Sequence, residues 1–117
     1  MGLFNVLNVP IQCPQCGQEF KGRIQFKFGA TRQLEYRLGD KLAWGYNEEG
    51  KPNLPSVKVY GILEEDECPK CGFAFEYQKD DEFDILIKKD VLKSFSSMAD
   101  YGDYLVDPEA EGGYAIL

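Results

Sequence analysis

The sequence predicts a mainly β protein: an antiparallel sheet of about six or seven strands, followed by a short helical or irregular C-terminal tail. Three observations carry this. Apolar and polar residues alternate with period two over several stretches. The same short unit, C-P-x-C-G, occurs at residues 13–17 and again at residues 68–72. Residues 94–117 lose the alternation and carry five acidic residues and no basic one.

The 117 residues suffice for one compact domain, and a hydrophobic fraction of 44% supplies a real core. We divide the chain at residue 93, into a metal-built β domain (1–93) and an acidic, aromatic and partly mobile tail (94–117). The first strand occupies residues 3–11. In the second, Phe20, Ile24, Phe26 and Phe28 alternate with Glu19, Lys21, Arg23, Gln25 and Lys27, the mark of a half-buried antiparallel strand. After a turn at residues 29–31, Leu34, Tyr36 and Leu38 alternate again, and Leu42 and Trp44 extend the pattern. Gly50, Pro52 and Pro55 mark a loop, and Val57, Val59 and Ile62 the next strand. Beyond the second cysteine unit, Phe73, Phe75 and Tyr77 form one arm of a predicted hairpin. Asp80 and Asp81 turn it, and Phe83, Ile85 and Ile87 return. Val91, Leu92 and Phe95 stand at helical spacing, which predicts one or two helical turns over residues 90–98.

Cys13, Cys16, Cys68 and Cys71 are the chain's four cysteines. Two residues between the cysteines of a unit let one tight turn aim both sulfurs at a single ion. Pro14 and Pro69 fix φ after the first ligand, and Gly17 and Gly72 permit the chain's sharp return. Four sulfurs suit a tetrahedral Zn²⁺, with mononuclear iron as the alternative. Four ligands also close the site, whereas a catalytic zinc keeps a position open. No basic apolar leader at the first residues, no acylation pattern and no apolar run of about 20 residues point to a cytoplasmic protein without a membrane span, where thiols stay reduced.

The chain holds no histidine. This removes the usual general base, the Ser-His and Cys-His nucleophile pairs, and every His-containing metal site. A net charge of −7 disfavours nucleic acid as a partner. These facts point to a protein that is not an enzyme. The acids at residues 64–67 are expected to turn from the thiolates toward solvent or a cation.

The two cysteine units resemble the knuckles of zinc ribbons and rubredoxin-like folds. The 51 residues between Cys16 and Cys68 exceed what minimal members carry, which implies an elaborated β insert. Gln25-Phe26-Lys27-Phe28-Gly29 and Tyr36-Arg37-Leu38-Gly39-Asp40-Lys41-Leu42-Ala43-Trp44-Gly45, with the second knuckle, are similar to small bacterial zinc-ribbon proteins associated with toxin–immunity gene neighbourhoods. This resemblance implies a binding protein without chemistry, an immunity protein or antitoxin that inhibits a basic toxin or enzyme domain. The residues expected to meet such a partner are Trp44, Tyr46, Glu64 and Glu65, then Asp80, Asp81 and Asp84, and in the tail Tyr101, Asp103 and Tyr104. Two alternatives remain: a rubredoxin-like one-electron carrier, and a nucleic-acid ribbon using Lys21, Arg23, Lys27, Arg32, Arg37 and Lys41.

Overall fold

A computed structural model describes residues 3–117. Met1 and Gly2, on which the absence of a leader and of an acylation signal was partly read, lie outside the described residues. The first strand, β1 (Asn5–Gln12), runs antiparallel to β2 (Glu19–Phe26), pairing Leu7 with Ile24 and Ile11 with Phe20. These even positions of β2 and odd positions of β1 are buried, as the alternation requires.

The next segments depart from regular alternation. Short β3 (Gly29–Ala30) pairs with β5 (Glu48–Glu49) in a separate two-stranded sheet. Only Glu35–Tyr36 of the expected third strand forms a strand, β4, and it lies parallel to β1. The main sheet is therefore mixed. The cause is Asn5, fully buried, whose amide nitrogen donates to the Phe28 and Ala30 carbonyls at 3.1 and 3.0 Å. Its side-chain oxygen accepts the Leu34 N–H at 3.1 Å. One side chain thus satisfies three backbone groups of the crossover and brings the chain back along β1.

The central strand is β6 (Val57–Leu63), flanked by β7 (Glu82–Lys88), which pairs in turn with β8 (Val91–Ser97). The other edge of β6 is shared. Its Gly61–Leu63 end pairs with β2, and its Val57–Val59 end with β9 (Tyr114–Ile116). The main order is β4-β1-β2-β6-β7-β8. Val57, Val59, Leu63, Phe83, Ile85, Ile87 and Leu92 join the β1–β2 residues in one core. Gly61 is needed at the crossing: a Cβ there would fall 2.5 Å from Ile24 Cγ2.

Two expectations are corrected. Within residues 90–98, Val91–Ser97 form a strand, not a helix. Lys89 and Asp90, at φ 48° and 69°, make a two-residue turn of the primed kind that returns β8 onto β7. The boundary after residue 93 therefore falls inside β8. Phe73, Phe75 and Tyr77 do not form a strand against β7, because β6 and β8 already occupy both its edges. The second cysteine unit instead closes on itself through Cys68 N–H to Phe73 O and Phe75 N–H to Asp66 O. Its phenylalanines pack inward, Phe75 stacking on Phe20 at 5.8 Å.

The chain between β4 and Leu42 joins the sheet's two edges at one end. Val6 N–H donates to Leu34 O on the β1 side, while Gly39 N–H and Asp40 O bond to Leu92 on the β8 side. At the opposite end the edges of β1 and β8 stay apart. The tail folds into two short 3₁₀ turns (Tyr101–Leu105 and Pro108–Ala110), capped by Asp100 and Asp107, before β9. No helix among the described residues is long and apolar enough to cross a membrane.

Candidate metal centre

The first cysteine unit caps the β1–β2 hairpin, and the second lies in the connection from β6 to β7. The two have the same internal geometry. Gly17 N–H donates to Cys13 O at 2.9 Å, and Gly72 N–H to Cys68 O at 2.8 Å. Both glycines sit in the left-handed region, at φ 73° and 77°, which a side chain would strain. The N–H groups of Gln15 and Cys16 point at the Cys13 sulfur (3.3 and 3.5 Å), and that of Lys70 at the Cys68 sulfur (3.4 Å).

All four sulfurs lie within 4.8 Å of one another. Across the two units, Cys13 Sγ is 3.7 Å from Cys71 Sγ, and Cys16 Sγ is 3.9 Å from Cys68 Sγ. A tetrahedron with metal–sulfur bonds of about 2.3 Å has edges of about 3.8 Å, so the donor set fits one ion. Zinc and iron share this tetrahedron; the geometry defines the site's shape and not its element. The four cysteines are free thiols.

The surroundings are unequal. Cys13 and Cys68 are buried, Cys16 is half-buried and Cys71 is exposed. Burial pushes the Cys13 thiol up, but the N–H groups of Cys16 and Gln15 outweigh it and bring the value down to about 7. At Cys71 the Phe73 N–H works downward, yet partial desolvation by its neighbours and the three adjacent sulfurs push it up to about 12. Four crowded sulfurs without a cation cannot all ionise together. A bound metal removes that conflict by drawing off the protons.

Of the acids beside the second unit, Glu64 finds the expected cation and Glu65 a backbone N–H. Glu64 pairs with the Arg23 guanidinium at 3.0 Å, and Arg23 also reaches Glu35 at 2.7 Å. The Glu65 carboxylate accepts the Arg23 backbone N–H at 3.1 and 3.2 Å. Asp80 and Asp81 accept the N–H groups of Glu76 and Gln78, both at 2.8 Å, and so build a turn.

Asp84, Tyr101, Asp103 and Tyr104 are brought together, with one another. Tyr104 is fully buried on the outer face of β6–β7, and its hydroxyl donates to Asp84. Lys58 bonds Asp103 at 2.6 Å, lies 3.8 Å from Asp84, and sits over the Tyr104 ring. Tyr101 packs edge-on against Tyr60, whose hydroxyl donates to Glu82. Burial, then Asp84, holds the Tyr104 hydroxyl far above the usual phenol range. Lys58, Tyr60 and Glu82 were missed in the sequence. Their signal is the period-two outer face of β6 and β7. Trp44 packs edge-on against Phe28, while Tyr46 is exposed.

Fold and site together define a β-sheet protein with a tetracysteine metal-binding module. Comparison with family models, with curated proteins and with solved structures yields no match.

Proposed function

We propose that the four cysteines hold a structural zinc ion, and that the chain is a non-catalytic binding module for a basic protein partner. The observation that carries this is the convergence of four sulfurs from two separate connections. A metal there ties the β1–β2 hairpin to the β6–β7 connection, and its four protein ligands leave no position for substrate. The absence of histidine supports a role without acid–base chemistry. The net charge of −7 supports a basic partner, met with electrostatic steering. An immunity protein or antitoxin acting on a basic toxin domain is the concrete form of this reading.

The test is cross-linking in the native host, followed by titration of the zinc-loaded chain with the purified partner. The expected result is one basic protein bound in a fixed ratio, with association slowed by salt. Failure to associate with any protein would overturn the reading. A second reading rests on the exposure of Cys71, which places the metal near the surface as an electron carrier requires. Iron would make the protein red and reversibly reducible; a colourless zinc protein removes this alternative.

A further inference from the structure

The end of the sheet opposite the β4 closure is open, and its two edges differ. On β1, Val6 N–H bonds outward to Leu34, so the even residues face the free edge. Pro10 is one of them and offers no N–H there. On β8, Met98 N–H bonds inward to Glu82 O, and Ser96 and Ser94 stand opposite Asp84 and Leu86 in the same phase. The N–H and C=O groups of Phe95 and Ser97 therefore face outward, and β8 is the last strand on that side. A bulge at Leu86/Ile87 and the contact of Leu92 with residues 39 and 40 confine the open stretch to residues 94–97.

A groove of about 340 Å³ lies between these edges. Ile11, Phe75, Phe83 and Phe95 give it apolar walls, and Pro14 brings the first cysteine unit to its side. Its rim carries Glu19, Asp80 and Lys79, and Lys79 is paired with Glu76 at 3.3 Å. The uncompensated charge is negative, and a tetrathiolate holding a divalent metal adds two more negative charges alongside. The volume is near the lower end of ligand pockets and suits a side chain or two.

We infer that residues 94–97 are a docking edge for an extended, basic segment of the partner protein. The segment adds as a strand to β8 and sends an apolar side chain into the groove between Ile11, Phe75, Phe83 and Phe95. Backbone groups without a partner strand among the described residues specify an extended chain, the phenylalanines specify an apolar anchor, and the acidic rim specifies flanking lysine or arginine. A second copy of this chain fits less well, because it brings the same acids to the same rim. The inference rests on the binding-module reading and assigns its surface.

The probes are synthetic peptides titrated into the zinc-loaded full chain under NMR observation. One alternates lysine and leucine, one alternates glutamate and leucine, and one is the lysine peptide with alternate backbone nitrogens methylated. The lysine peptide is expected to shift the amides of Phe75, Phe95 and Ser97 saturably. The other two are expected to bind about tenfold more weakly, the loss from one or two strand bonds or reversed charge. Ser97→Pro removes the outward N–H at an edge position that tolerates proline, exchanges one hydroxyl of the groove wall for a ring, and should weaken the lysine peptide similarly while the chain still melts cooperatively. Shifts confined to another face, or equal binding by the methylated peptide, overturn the inference whatever Ser97→Pro does. Concentration-dependent shifts of Phe95 and Ser97 without peptide assign the edge to a second copy and overturn it too. A cross-linked partner held equally by the wild type and a folded Ser97→Pro chain removes the groove and leaves the binding-module reading standing. No association in either experiment removes both.

Discussion

The two ends of β6 are secured by different physics. At the Leu63 end the chain enters the second cysteine unit, and four sulfurs from two connections converge within 4.8 Å. At the Val57 end the tail supplies β9 on one edge and a buried tyrosine over the outer face. The first end depends on one strong centre that is made or lost as a whole. The second depends on many modest contacts, including the Tyr104–Asp84 and Lys58–Asp103 bonds. Damage to the metal end should be all-or-none, and damage to the tail end graded.

The sharpest break is Cys68→Ser. If the proposed structural zinc is bound, it contributes on the order of 10–16 kcal/mol, as much as or more than the whole stability of a small domain, so the variant should lose its cooperative thermal transition. Chelation of the wild type should do the same and be reversed by added zinc. A variant that melts like the wild type would disprove the structural role. Next comes Tyr104→Ala, which removes a fully buried ring. It should cost about 3–5 kcal/mol in denaturant unfolding while leaving a cooperative transition. Metal content by mass spectrometry should stay at one ion per chain. Loss of the metal would show that the two ends are not separate.

A smaller effect distinguishes the ends by pH. The folded-state pKa of Tyr104 is raised above its unfolded value near 10. Its contribution is therefore complete below about pH 10 and is lost as pH rises from there toward the folded value. Tyr104→Phe should flatten this alkaline loss, seen as a smaller fall in melting temperature between neutral and strongly alkaline solution. Acid acts on the other end, because protonated thiols release the metal. The smallest effect is Arg23→Gln. Arg23 is 40% exposed, so its pairs with Glu35 and Glu64 should contribute no more than about 1 kcal/mol.

The same contrast governs what the sequence reveals. The metal end is legible because its chemistry is local: ligand spacing, the following glycine and the preceding strand all lie within a few residues. β1, β2 and β6 are legible for the same reason, since period two marks a strand with one buried face. The tail end is not legible. Val91, Leu92 and Phe95 fit a helix as well as a bulged strand, and Lys89-Asp90 is not a sequence that advertises a primed turn. Tyr101, Asp103 and Tyr104 read as a contact surface for another protein, yet Tyr104 is inside and Asp103 bonds Lys58, 45 residues away. Acid and tyrosine along a chain do not say whether their complement is a partner or β6. Asn5, in a strand of apolar neighbours, gave no sign that it would bond three backbone groups of a crossover.

The divided edge of β6 has a consequence for the order in which the molecule is made. A ribosome releases Cys71 well before Tyr114, so a nascent chain can bring its four sulfurs together and pair β1, β2 and the Leu63 end of β6 while the strand for Val57–Val59 has yet to be synthesised. Until Tyr114 follows, the central strand presents three residues of vacant edge, even after β7 and β8 have covered its other side. Closure of the four-sulfur site would fix the half that exists, and β9 supplies the last rung.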